Sequence, residues 1–178
     1  ELPDIEVIPV GKLIGIRMYT KGVLVVGVND NEQYKITNIK EGDTIVSIND
    51  KKVETIQNIK DIVQKSKGKD IKIKYVRNNN EVLTSTLSPI KKEDSKEYKI
   101  GLWVKEGATG VGTISFYNPQ SNEFAALGHG VYDKDTGYLL EIEKGEIYDS
   151  KIVSITKGEY GNTGEIRGSI LKNKLLGN

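Results

Sequence analysis

The chain has 178 residues, room for one large domain or two small ones, and its 26 basic and 25 acidic side chains leave a net charge of +1. That balance gives no electrostatic footprint for nucleic acid, and no apolar run approaches the ~20 residues that span a bilayer. With no cysteine and a single histidine, disulfides and thiolate metal sites are excluded, and neither a metal nor a cofactor is expected.

Strand signals dominate, so the expected class is mainly β with minor α. Residues 1–10 read as an N-terminal segment. Val23-Leu24-Val25-Val26-Gly27-Val28 is a continuous apolar run suited to a strand buried on both faces. The polar stretch Asn29 to Gln33 reads as a loop, and Lys40-Glu41-Gly42-Asp43 as a turn before the β-branched strand Thr44 to Ile48. From Thr55 the period changes. Ile56, Ile59, Ile62 and Val63 fall at helical spacing, with Thr55 placed to cap the first turn and Gly68 to close the last. Ile71, Ile73 and Tyr75 then alternate with Lys72 and Lys74, and Asn78-Asn79-Asn80 turns the chain into Glu81 to Leu87 as a hairpin.

The charged run Lys91 to Glu97 reads as a solvated linker, giving boundaries at 11–90, 91–98 and 99–178. Beyond it, strands are expected at Gly101 to Val104, Gly112 to Tyr117, Phe124 to Gly128 and Ile152 to Ile155. Gly107, Gly110 and Gly112 within six residues suggest tight turns or bulges, as in a curved sheet or barrel.

His129, in Gly128-His129-Gly130, is the one side chain whose unperturbed pKa lies near neutrality, which makes it the candidate for proton transfer. The glycines permit positive φ and leave room beside the imidazole. An ordinary turn or core histidine would look the same, because no nucleophile accompanies it.

Gly42-Asp43-x-Ile45-x-x-Ile48-Asn49-x-x-x-Val53 resembles the central signature of PDZ domains, folds of about six strands and one main helix. Leu13-Ile14-Gly15-Ile16 is similar to that family's carboxylate-binding loop in its circularly arranged bacterial form, with a groove-edge strand from Ile16 to Met18. The resemblance implies a peptide groove between these residues and the helix, with Ile56, Ile59 and Val63 as pocket candidates. As plain sequence, those helix residues read equally as core. Gln33 to Ile39 departs from the family's small-residue helical turn.

Gly101-Leu102-Trp103-Val104, Gly110 to Pro119 and Ala126-Leu127-Gly128-His129-Gly130 resemble the stage IV sporulation protein B peptidases, in which a PDZ domain precedes a serine peptidase domain. The resemblance implies a chymotrypsin-like β-barrel domain, present here in part, with His129 as general base. It further implies self-cleavage and cleavage of a membrane-bound regulator of an intramembrane protease, which triggers late sigma-factor activation. The implied setting is extracytoplasmic, between the two forespore membranes, with the PDZ groove taking a substrate tail or the protein's own N-terminal segment. The family order is histidine, aspartate, serine, yet no small-residue Gly-x-Ser-Gly turn follows His129. Gly168-Ser169-Ile170 lacks the second glycine, Ser150 and Ser154 have strand contexts, and Asp133 and Asp135 read as exposed turn residues. The aspartate and serine are therefore expected beyond Asn178, and the fragment alone is expected to be inactive. The competing reading is a non-catalytic PDZ peptide-binding adaptor.

Overall fold

The computed structural model describes residues 5–29, 34, 38–78, 81–91 and 96–178. Most of the expected polar loop at 29–33, the departure at 33–39, Asn79-Asn80 and the centre of the charged linker fall outside the described residues. Those described form strands β1 (Ile8–Val28), β2 (Thr44–Ile48) and β3 (Lys51–Lys52), helix α1 (Ile56–Ser66), then strands β4 (Ile71–Arg77), β5 (Glu81–Leu87), β6 (Ile90–Lys91), β7 (Tyr98–Lys99), β8 (Leu102–Asn118), β9 (Glu123–Ala125), β10 (Ile142–Thr156) and β11 (Glu165–Gly177). They divide into two compact units. A helix-bearing unit holds Tyr19–Ala108 and Val131–Glu143; a ribbon unit holds the stretches up to Met18, Thr109–Gly130 and Lys144–Asn178.

In the helix-bearing unit, β1 pairs antiparallel with β2 at Val23↔Ile45, β2 pairs with β4, and β4 and β5 form the expected hairpin from Ile71↔Leu87 to Arg77↔Glu81. Alternation does the sorting: Ile71, Ile73 and Tyr75 are buried, whereas Lys72 and Lys74 face solvent. The consecutive apolar residues Val23, Leu24 and Val25 are all buried, as a strand covered on both faces requires. Helix α1 starts where the sequence signals it. Thr55 caps it in a reciprocal capping box with Asn58, and Lys67 ends it in the left-handed conformation before Gly68. Ile59 and Val63 point into the core with Ile45, Ile73 and Tyr75, and Ile100, from beyond the linker, joins the same core.

The Gly42-Asp43 signature has a structural purpose. The Asp43 carboxylate is buried and accepts two bonds from Arg77, Nε to Oδ1 and Nη2 to Oδ2, each 2.8 Å, plus the Lys40 amide at 2.8 Å. Arg77 reaches back to the Asn38 carbonyl at 2.5 Å and lies over the Tyr75 ring. The bonds that Arg77 donates to Asp43 hold the guanidinium pKa above its ordinary value.

In the ribbon unit, β10 and β11 form a long antiparallel pair from Ile147↔Gly177 to Thr156↔Glu165, with bulges, and β9 pairs with the end of β8 at Phe116↔Ala125. Strand β11 pairs only with β10, so among the described residues these strands form an open sheet rather than a closed barrel. Gly107, Gly110 and Gly112 do not make turns. All three lie within β8, and Gly112 admits Ile16, whose Cδ1 lies 2.7 Å from where a Cβ would stand.

Candidate functional site

Two places carry the chemistry that the sequence points to. The first is His129, four residues past β9 in an exposed stretch of irregular backbone. Its Nδ1 lies 2.8 Å from the Gly130 carbonyl. A carbonyl only accepts, so in the neutral ring this contact favours the proton on Nδ1 and the lone pair on Nε2, the tautomer that a general base needs. Neither flanking glycine takes positive φ, but a Cβ on Gly128 would meet nothing within 4 Å. Gly128 therefore provides open space here rather than an unusual backbone.

Directly after His129, Val131 to Leu140 double back as a small hairpin, with a bridge at Tyr132↔Leu139 and the Leu140 amide bonded to the Val131 carbonyl at 2.8 Å. Asp133 is buried, contrary to its expected exposure, because its carboxylate organises this turn. Its Oδ1 accepts from the Asp135 amide (3.1 Å), the Thr136 amide (3.0 Å) and the Thr136 hydroxyl (3.1 Å), and its Oδ2 accepts from Lys105 Nζ at 2.8 Å. Lys105 also pairs with the exposed Asp135. Burial alone would raise the Asp133 pKa, but the bonds from Lys105, Thr136 and the Asp135 amide outweigh it and hold the group below its ordinary range. This contribution to folding is complete above the unfolded carboxyl value of ~3.9 and is lost as pH falls through the lower folded value. At neutral pH the turn is fully tied.

The second place is a groove of about 800 Å³ along α1 in the helix-bearing unit. Ile56, Ile59 and Val63 line it from the helix, although Ile59 and Val63 also serve the core. The facing wall is Tyr98 to Val104. Leu13, Ile14, Gly15 and Ile16 are not in that wall. They lie inside extended β1, in the ribbon unit, where Ile14 is buried, so the structure has a strand where a binding loop was expected. The facing segment repeats the same apolar-Gly-apolar pattern as Ile100-Gly101-Leu102, and here the glycine is bent, at φ +70°. Both ends of α1 are fastened to this segment. Gln64 exchanges two bonds with the Tyr98 backbone, at 2.8 and 2.9 Å, and the Glu106 carboxylate accepts from the Ile56 amide at 2.5 Å, satisfying a free donor at the helix N-terminus.

Residues 13–87 match the family model of the PDZ domain, and residues 96–178 match that of the SpoIVB peptidase S55. The two matches follow one another in the order PDZ domain, then S55 peptidase. No curated protein matches the sequence. His129 and its hairpin fall inside the S55 match, and so does the groove wall at 98–104. The wall was missed in the sequence because it follows the charged linker, and its one signal was the second copy of the apolar-Gly-apolar pattern.

Within the S55 match, Asp149, Ser150 and Ser169 stand in strands β10 and β11. Asp149 pairs with Lys12 (3.0 Å) and Lys174 (3.8 Å), the Ser150 hydroxyl bonds to the Leu13 carbonyl at 3.0 Å, and Ser169 stands in the β10–β11 ladder opposite Lys151. At Gly15 a Cβ would lie 2.5 Å from Cγ1 of Ile170. Gly15→Val is therefore expected to destabilise the ribbon unit by about 1–3 kcal/mol through overpacking. Peptide affinity at the α1 groove should remain at the parent level. Urea unfolding followed by circular dichroism, with titration of a labelled peptide into the folded variant, measures both. Parent stability with lost affinity would return the binding site to Leu13–Ile16.

Proposed function

We propose that this chain is part of a sporulation-signalling serine endopeptidase in which His129 is the general base and the PDZ domain reads a peptide. In this reading His129 takes the proton of a serine hydroxyl as it attacks a peptide carbonyl, then returns it to the leaving amine. No serine among these 178 residues has the small-residue turn that a nucleophile needs, so this reading assigns the base alone. The observation that carries the reading is the S55 match with the Gly128-His129-Gly130 stretch inside it. The contact of Nδ1 with the Gly130 carbonyl, which favours a lone pair on Nε2 in the neutral ring, supports it.

The peptide partner lies in the groove between α1 and residues 98–104, either as the protein's own N-terminal segment or as the tail of a membrane-bound regulator of an intramembrane protease. Cleavage of that regulator, together with self-cleavage, is the signalling output. The setting is extracytoplasmic, between the forespore membranes; among the described residues no helix is long and apolar enough to cross a membrane.

Labelling of the intact protein with a serine-directed fluorophosphonate tests the enzymatic core of this reading. Labelling by the parent and its loss in His129→Ala are expected, because the unactivated hydroxyl reacts slowly. Equal labelling of both proteins overturns the assignment of the base.

A further inference from the structure

An α-helix turns about 100° per residue, so positions four and seven apart share one face. On α1 this puts Lys60 between Ile56 and Val63, in the middle of the stripe that lines the groove. Lys60 is exposed and has no hydrogen-bond or ion-pair partner among the described residues. Lys99, exposed beside buried Ile100 on the facing wall, is in the same state. The carboxylates that line the groove are committed elsewhere. Asp61 is turned about 100° away from Lys60 around the helix, and its Oδ1 accepts from Gln57 at 2.7 Å. Glu97 already has an interaction partner. The wall that carries Lys99 is fastened by Gln64 at Tyr98, and by the Asn29 amide, which bonds to the Gly101 carbonyl at 2.9 Å. The two cations are thus the charges of this groove that still lack a partner.

We infer that the groove selects a peptide with an acidic side chain between two apolar ones, in the order apolar-x-acidic-x-apolar. The inference rests on the reading of the groove as a peptide site and names what that site prefers. Spacing sets the order. Ile56 and Lys60 stand about 6 Å apart along the helix axis, and Lys60 and Val63 about 4.5 Å. An extended peptide presents alternate side chains to one side at intervals of about 6.7 Å. Three alternate side chains lying along α1 thus meet an isoleucine, an ammonium and a valine in turn. A carboxylate in the middle place pairs with Lys60, and Lys99 adds attraction from the facing wall. An apolar side chain there would strip water from the ammonium without returning a bond.

Three acetylated hexapeptides test this against the ¹⁵N-labelled chain. One is Ser-Val-Ser-Glu-Ser-Val, the second has glutamine in place of its glutamate, and the third is Ser-Val-Glu-Ser-Ser-Val, with the acid one place out of phase. Amide shifts of residues 56–63 and 98–104 give both the location of binding and its affinity. The in-phase acidic peptide is expected to bind about three- to fivefold more tightly than either of the others at low salt, the scale of an exposed ion pair. Lys60→Gln is expected to bring the three within about twofold of one another. Lys74→Gln, on β4 and outside the groove, should keep the parent ratio. Equal affinity of the three for the parent, or the parent ratio retained in Lys60→Gln, overturns the inference and leaves the groove a peptide site. Groove amides unmoved by all three peptides remove that reading as well.

Discussion

Replacing His129 with alanine is expected to slow peptide-bond cleavage by the intact protein by about 10⁴-fold or more, the scale on which a serine peptidase loses rate without its base. The fold should not respond. His129 is exposed and its ring bonds, among the described residues, to the carbonyl of the next residue, so its removal is expected to change stability by no more than about 0.5 kcal/mol. These two expectations separate the roles, because a histidine needed for packing would show the reverse. Self-cleavage rate and thermal unfolding, measured on the same variant, decide between them. A variant that unfolds early yet cleaves at a proportionate rate would take the base away from His129.

Asp43→Ala is expected to cost the helix-bearing unit about 3 kcal/mol, more than a hundredfold in its folding equilibrium. The reason is what the substitution leaves behind: Arg77 keeps its position over Tyr75 and loses two charge-assisted bonds, and the Lys40 amide loses its acceptor. Breaking one side of a buried pair exceeds the worth of the pair itself, because a desolvated charge remains. The side chain of Arg77 is 23% exposed, so water recovers part of the loss and the figure falls at the lower end of the range for buried pairs. Urea denaturation of Asp43→Ala beside the surface control Lys74→Ala measures the difference. A midpoint for Asp43→Ala equal to that of the control would show that the pair holds nothing together.

Local features of this chain were legible because they are written in local chemistry. Thr55, the Ile59 and Val63 spacing and Gly68 mark α1 from within a dozen residues, and the Lys72/Lys74 alternation marks β4. The groove was half legible for the same reason: its helical wall follows from periodicity. Its second wall did not, since Ile14-Gly15-Ile16 and Ile100-Gly101-Leu102 present the same pattern. What separates them is a partner far along the chain, Ile170 at Gly15 and Tyr34 at Gly101. Asp133 was misread on similar grounds. Asp-Lys-Asp-Thr-Gly looks like a solvated turn, and its burial is tolerable because Lys105, twenty-eight residues earlier, supplies a cation beside the local donors of Asp135 and Thr136. The long β10–β11 ribbon was legible only as the short apolar stretch Ile152 to Ile155, because exposed strands lack the apolar alternation that flags a half-buried one.

Trp103 is the only tryptophan in the chain, and it stands in the groove wall against Gly27, more than half exposed. An indole so placed emits from a partly aqueous environment, and a peptide lying along α1 would strip water from one of its faces. The protein thus carries its own optical gauge of groove occupancy, free of any competing indole. The same light reports nothing from the ribbon unit, which has no tryptophan. Binding at the groove is therefore readable in the unaltered chain by a blue shift in emission, without a label on either partner.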